Sequence, residues 1–120
     1  MDTWINYDNL DINMIQKLNL QIPANSHINY NDTITNIFIK NYREKYNTEP
    51  GKYAFSGYDA AMYFIPLLIK YGNNANDKIE STKKTCLSTS FDFKKTGDDS
   101  GFENQSVFIL KYEDFELKKQ

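Results

Sequence analysis

Residues 56–72 read SGYDAAMYFIPLLIKYG, and the fold turns on how this stretch is covered. From Ala60 to Ile69 every side chain is apolar or aromatic, which fits a helix greasy on nearly all sides. Such a helix must be enclosed by partners rather than lie on a surface. Ser56 followed three positions later by Asp59 matches a capping box, so the helix is expected to begin near Gly57. Pro66 is expected to kink it, and Gly72, able to take the left-handed conformation, closes it. A chain of 120 residues with few strands supplies little enclosure of its own. The missing cover is therefore expected from another chain or from a further part of the same domain.

Before this stretch, residues 47–51 contain Pro50 and Gly51, the breakers that follow a finished helix. That helix is expected from a cap at Asp32 to about Tyr46, with Ile34, Ile37, Phe38, Asn41, Tyr42 and Lys45 along its stripe and Lys40, Arg43 and Glu44 outside. Residues 20–24 read as a strand that ends or lies at an edge, because Pro23 cannot donate to a ladder. Leu10, Met14, Ile15 and Leu18 keep the spacings of a short amphipathic helix.

After the stretch, residues 77–84 suit a short polar helix. Residues 86–93 and 106–112 read as strands of a hairpin separated by the turn-rich segment 96–101, and Phe115 and Leu117 suggest a final strand. No internal repeat or low-complexity tract occurs.

The composition, 40% hydrophobic and 15% aromatic, is that of a globular protein. Fourteen basic residues against sixteen acidic ones build no positive field, which argues against nucleic acid as a partner. The apolar run 60–69 falls short of the about 20 residues that cross a bilayer, so no membrane span is expected. Met1-Asp2-Thr3-Trp4 has none of the features of an export signal. The single cysteine, Cys86, forms no internal disulfide and reads as a small buried hydrophobe in a strand.

Tyr58 and Asp59 together offer a hydroxyl and a carboxylate, but packing accounts for the first and capping for the second. His27 has no Cys or Glu at metal-ligand spacing. Asp98-Asp99-Ser100-Gly101 lacks the alternating donors and terminal Glu of a calcium loop and reads as a turn. Phosphate-cradling glycine loops, nucleophile elbows and paired catalytic motifs are absent, and neither an enzymatic activity nor a cofactor is expected.

Three passages, in order, resemble the last third of type 1 periplasmic binding proteins, the class that includes branched-chain amino-acid receptors. They are Phe38-Ile39-Lys40-Asn41-Tyr42 with Tyr46, Glu49-Pro50 and Tyr53-Ala54; Gly57-Tyr58-Asp59-Ala60 running to Tyr71-Gly72; and Phe91-Asp92-Phe93, Gly97, Gly101-Phe102-Glu103-Asn104 and Val107 to Lys111. The Gly-Phe-Glu-Asn variant is similar to versions found beside peptidoglycan-binding LysM modules, although no LysM segment is present. The resemblance implies an α/β fold, the carboxy-terminal part of a two-lobed receptor, with helices packed on a mostly parallel sheet and a terminal β-hairpin. Within it, residues 1–50 would be a second-lobe segment and residues 51–120 a first-lobe and hinge segment, with Tyr53-Ala54 in a return strand.

The function implied is the binding of a small ligand or cell-wall component in the cleft between lobes, in the periplasm or cell envelope. Thr3, Trp4, Asn6 and Tyr7 match the ligand-binding location. Trp4 and Tyr7 would stack on or cover the ligand, and Thr3 and Asn6 would hydrogen-bond to it. Amino-acid receptors of the family place an acidic residue near this loop, where Thr3-Trp4-Ile5-Asn6 stands here. Asp2 and Asp8, the nearest carboxylates, read as solvated groups or caps. The alternative function is a non-catalytic envelope scaffold or protein-interaction module that keeps the fold without a small ligand.

Overall fold

The computed structural model describes residues 11–18, 20–113 and 116–120. In chain order the elements are helix α1 (Ile12–Lys17), strand β1 (Gln21–Ala24), helices α2 (Thr33–Tyr46) and α3 (Lys52–Tyr71), a 3-10 turn (Gly72–Asn74), helix α4 (Asn76–Ile79), and strands β2 (Lys84–Thr85), β3 (Ser90–Phe91), β4 (Phe93–Lys95), β5 (Phe102–Asn104), β6 (Phe108–Glu113) and β7 (Glu116–Lys119). They fall into two compact units, a discontinuous one, Met1–Ser26 with Val107–Gln120, and a continuous one, His27–Ser106.

The discontinuous unit holds a three-stranded antiparallel sheet in the order β1-β6-β7. Alternation of side chains across the strands explains its register. Ile22 pairs with Leu110 and Ala24 with Phe108, all four buried, while the exposed Pro23 faces Ile109. Pro23 sits on an outer strand, where its missing N–H costs no ladder bond. Leu117 packs on the small core of Ala24, Phe108 and Leu110, and the Lys119 ammonium lies 4.8 Å from the Phe108 ring centre.

The continuous unit is built on α2 and α3. Asp32 caps α2 as expected, its carboxylate accepting from the Thr35 N–H at 3.0 Å, and Asn47 ends the helix in the left-handed conformation at φ 52°. Just beyond, Arg43 grips Glu49 through two parallel bonds of 2.6 and 2.8 Å. That pairing raises the Arg43 pKa and lowers that of Glu49.

Helix α3 departs from expectation at its start. It begins at Lys52 with Gly51 as an extended cap that contributes no side-chain bond, so Tyr53 and Ala54 are helical rather than part of a return strand. Lys52 to Phe55 contain no glycine or proline to break a helix, and the Ala54 and Phe55 N–H groups already bond the Gly51 carbonyl. Ser56 is therefore no cap; its hydroxyl bonds back to the Lys52 carbonyl at 3.0 Å, as a mid-helix serine does. Phe55, Asp59, Tyr63 and Leu67, four residues apart, form the buried stripe.

The fold is mixed α/β, but every strand pairing among the described residues is antiparallel, against the mostly parallel sheet expected. A parallel pair needs a crossover of a dozen or more residues between strands. Here α2, α3 and α4 follow one another with no strand between them, and of the strands after α4 the first four, β2 to β5, are two or three residues long and the longer β6 and β7 pair antiparallel with each other. The expected strand over residues 86–93 is broken by one such turn, in which the Cys86 N–H bonds the Thr89 carbonyl at 2.8 Å. The segment 96–101 is the expected hairpin turn, though it joins β4 to β5, and β6 pairs instead with β1.

Candidate functional site

Asp59 is the best-partnered side chain in the continuous unit. It is fully buried at mid-helix, where a carboxylate has no reason to be unless something binds it. Its Oδ1 accepts from the Leu87 N–H at 2.9 Å; its Oδ2 accepts from the Ser88 N–H at 2.8 Å, the Ser88 hydroxyl at 2.7 Å and the Thr89 N–H at 2.8 Å. The turn between β2 and β3 thus presents three successive N–H groups to one carboxylate. Asp59 is structural, as the sequence suggested, but it holds a distant turn instead of capping its own helix.

One turn further along α3, Tyr63 is buried and its hydroxyl donates to the carbonyls of Thr82 at 2.8 Å and Ile79 at 3.2 Å. Its ring lies 4.7 Å from that of Phe91 and 5.5 Å from that of Phe93, and Phe91 stacks on Phe93. Burial, with Asp92 adding to it, raises the Tyr63 pKa and keeps the phenol protonated as a donor. Pro66 leaves the Met62 carbonyl without its helical N–H partner, and the Lys84 ammonium takes that carbonyl at 2.7 Å.

Cys86 sits in the turn rather than in a strand, half-buried. Its pKa is raised, first by burial and then by the neighbouring Asp59 charge, with Lys84 opposing. A thiol held protonated is a poor nucleophile. His27 donates its backbone N–H to the Ser88 carbonyl at 2.8 Å. Residues 96–101 form an exposed turn closed by Ser100 on the Gly97 carbonyl. Among the described residues no three His, Cys, Asp or Glu are grouped so as to hold a metal ion, and no helix is long and apolar enough to cross a membrane. Thr3, Trp4, Asn6 and Tyr7, the expected ligand contacts, lie outside the described residues, as do Asp2 and Asp8.

Two apolar surfaces remain. A groove of about 340 Å³ along α2 is lined by Ile34, Ile37, Phe38, Tyr42, Tyr46 and, from α3, Tyr58, with Asn41 and Lys45 as its polar members. Tyr58 shares a helical stripe with Met62, Ile65 and Ile69, all exposed, Ile69 at 81%, and the exposed Leu68 lies beside them. Between Asp59, which is buried, and Lys70, α3 carries no charge. From Tyr58, at the edge of the groove, this face of α3 therefore runs uncharged as far as Ile69, away from the stripe that packs inside the unit.

Comparison with protein-family models, with curated proteins and with solved structures found no match for the chain.

Proposed function

We propose that the chain is the carboxy-terminal share of a two-lobed, non-catalytic ligand receptor of the type 1 periplasmic-binding-protein kind, working in the periplasm or cell envelope. The observation that supports this reading is the division of the chain into a discontinuous and a continuous unit, with the backbone passing between them twice, after Ser26 and after Ser106 and not at residue 50, where the resemblance placed the boundary between lobe segments. A receptor that closes on its ligand moves two units about hinge segments, and ligand contacts that favour the shut state shift the population towards it. The order of residues from Phe38 to Lys111 supports the same reading. Thr3, Trp4, Asn6 and Tyr7 are the proposed contacts of a small ligand or cell-wall fragment, and the uncharged face of α3 is proposed to be covered by further polypeptide of the same domain.

Thermal shift on the whole protein with amino acids, peptides, sugars and cell-wall fragments tests the proposal. Stabilisation that is lost in Trp4→Ala is the expected result. No stabilisation by any of them would count against a small-molecule receptor.

A protein-interaction module is the second reading, favoured by the exposed Met62, Ile65, Leu68 and Ile69, since an apolar patch of this kind marks a contact surface. If Trp4→Ala leaves every biological readout intact while Ile65→Asp or Leu68→Asp abolishes it, this reading replaces the first.

A further inference from the structure

Both points at which the chain passes between its two units are tied to the same five residues. At the first, the His27 N–H donates to the Ser88 carbonyl at 2.8 Å. At the second, the Gln105 N–H donates to the Asp92 carbonyl at 2.9 Å, and the Asn104 side chain works in both directions. Its Oδ1 accepts from the Asp92 N–H at 2.9 Å and the Ser106 N–H at 3.2 Å, while its Nδ2 donates to the Ser90 carbonyl at 2.9 Å. The segment from Ser88 to Asp92 is thus a common mooring. It is itself fixed to α3 at two places, by Asp59 on Ser88 and Thr89 and by the buried Phe91 against Tyr63.

The geometry points to Asp59 as a positioning residue that sets both crossings at once, so that the two connections hold together or loosen together. His27 and Gln105 lie far apart in sequence, yet both bond a segment that the Asp59 carboxylate, together with Phe91 against Tyr63, holds on α3. Four hydrogen bonds to a buried carboxylate make the dependence on Asp59 strong, because the Ser88 N–H, buried beside it, has no water to turn to once the carboxylate is lost. A device of this sort suits a protein whose two connections must bend in step. It rests on the division into units and not on whether the chain binds a small ligand.

Residue-resolved amide exchange on the whole protein tests it. In Asp59→Asn, protection at His27 and at Gln105 is expected to fall together by about tenfold or more, the factor that corresponds to one lost charge-assisted hydrogen bond. Amides in the middle of α2 should keep theirs. Asn104→Ala should expose Gln105 and Ser106 and leave His27 protected, since the bonds of Asn104 to the segment fall at Ser90 and Asp92 and not at Ser88, which holds His27. Loosening of His27 alone, or an equal loss throughout α2, α3 and both crossings, would overturn the assignment. Should Asp59→Asn fail to fold, Ser88→Ala decides, because it removes one bond and keeps three. Joint loosening at the two crossings supports the inference, and unchanged protection at either defeats it.

Discussion

One oxygen of Asp59, Oδ2, accepts both the backbone N–H of Ser88 at 2.8 Å and its hydroxyl at 2.7 Å, across 29 positions of chain. The pair joins the middle of α3 to the turn between β2 and β3 and leaves the carboxylate with no exposed surface. Asp59→Ala is expected to destabilise the protein by about 3–5 kcal/mol, the range for removing one partner of a buried charged contact. Ser88→Ala should cost about 1.5–3 kcal/mol, a single hydrogen bond to a charged group. In the double variant the two costs should fall well short of adding, because the second change removes a bond already lost. Urea unfolding of the four proteins measures the cycle, and strict additivity would refute the coupling.

The contact between Lys84 and the Met62 carbonyl is expected to depend on Pro66. Pro66→Ala restores the N–H that the Met62 carbonyl lacks and should stabilise the protein, since proline within a helix is worth about 3 kcal/mol less than alanine. Lys84→Met should cost about 1 kcal/mol in the natural sequence and close to nothing once Pro66 is alanine. Denaturation midpoints of the two single variants and the double check this; an equal cost in both backgrounds rules it out.

Alkylation of Cys86 should follow a pH profile displaced upward from that of a free thiol, which titrates near about 8.5. The sign follows from the surroundings. Burial and the Asp59 charge both disfavour the thiolate, and Lys84 favours it. Lys84→Met is therefore expected to move the midpoint further up, and Asp59→Asn to move it down. Iodoacetamide rates between pH 7 and 10, followed by mass spectrometry, give the midpoint. A downward shift in Lys84→Met would contradict the placement of these charges.

Leu67 and Leu68 are neighbours in sequence with opposite surroundings, the first buried and the second exposed. Leu67→Ala is expected to cost about 2–5 kcal/mol, as a large-to-small change in a core does. Leu68→Ala should stay within about 0.5 kcal/mol in the isolated chain. Equal losses would mean that the outer face of α3 is already covered.

Much of the helical framework was legible in the sequence. Asp32 before Thr33 and the breakers Pro50 and Gly51 marked the ends of α2, because caps and breakers act on the backbone within a few residues. The strand at residues 21–24, its outer position through Pro23, and the turn at 96–101 rested on equally local chemistry. The greasy run of α3 led to an expectation of enclosure on nearly all sides, whereas the structure buries the stripe at Phe55, Asp59, Tyr63 and Leu67 and leaves Met62, Ile65, Leu68 and Ile69 exposed.

Only the tertiary structure decided what those elements meet. A serine and an aspartate three residues apart satisfy the capping pattern wherever they stand, and nothing local reveals that Asp59 lies at mid-helix with three amides of residues 87–89 waiting for it. Strand direction was hidden for the same reason. An apolar run fits a parallel or an antiparallel neighbour equally well, and the choice depends on which distant segment arrives beside it. Periodicity and capping are properties of adjacent residues and can be read along the chain, whereas pairing and burial belong to residues brought together by folding.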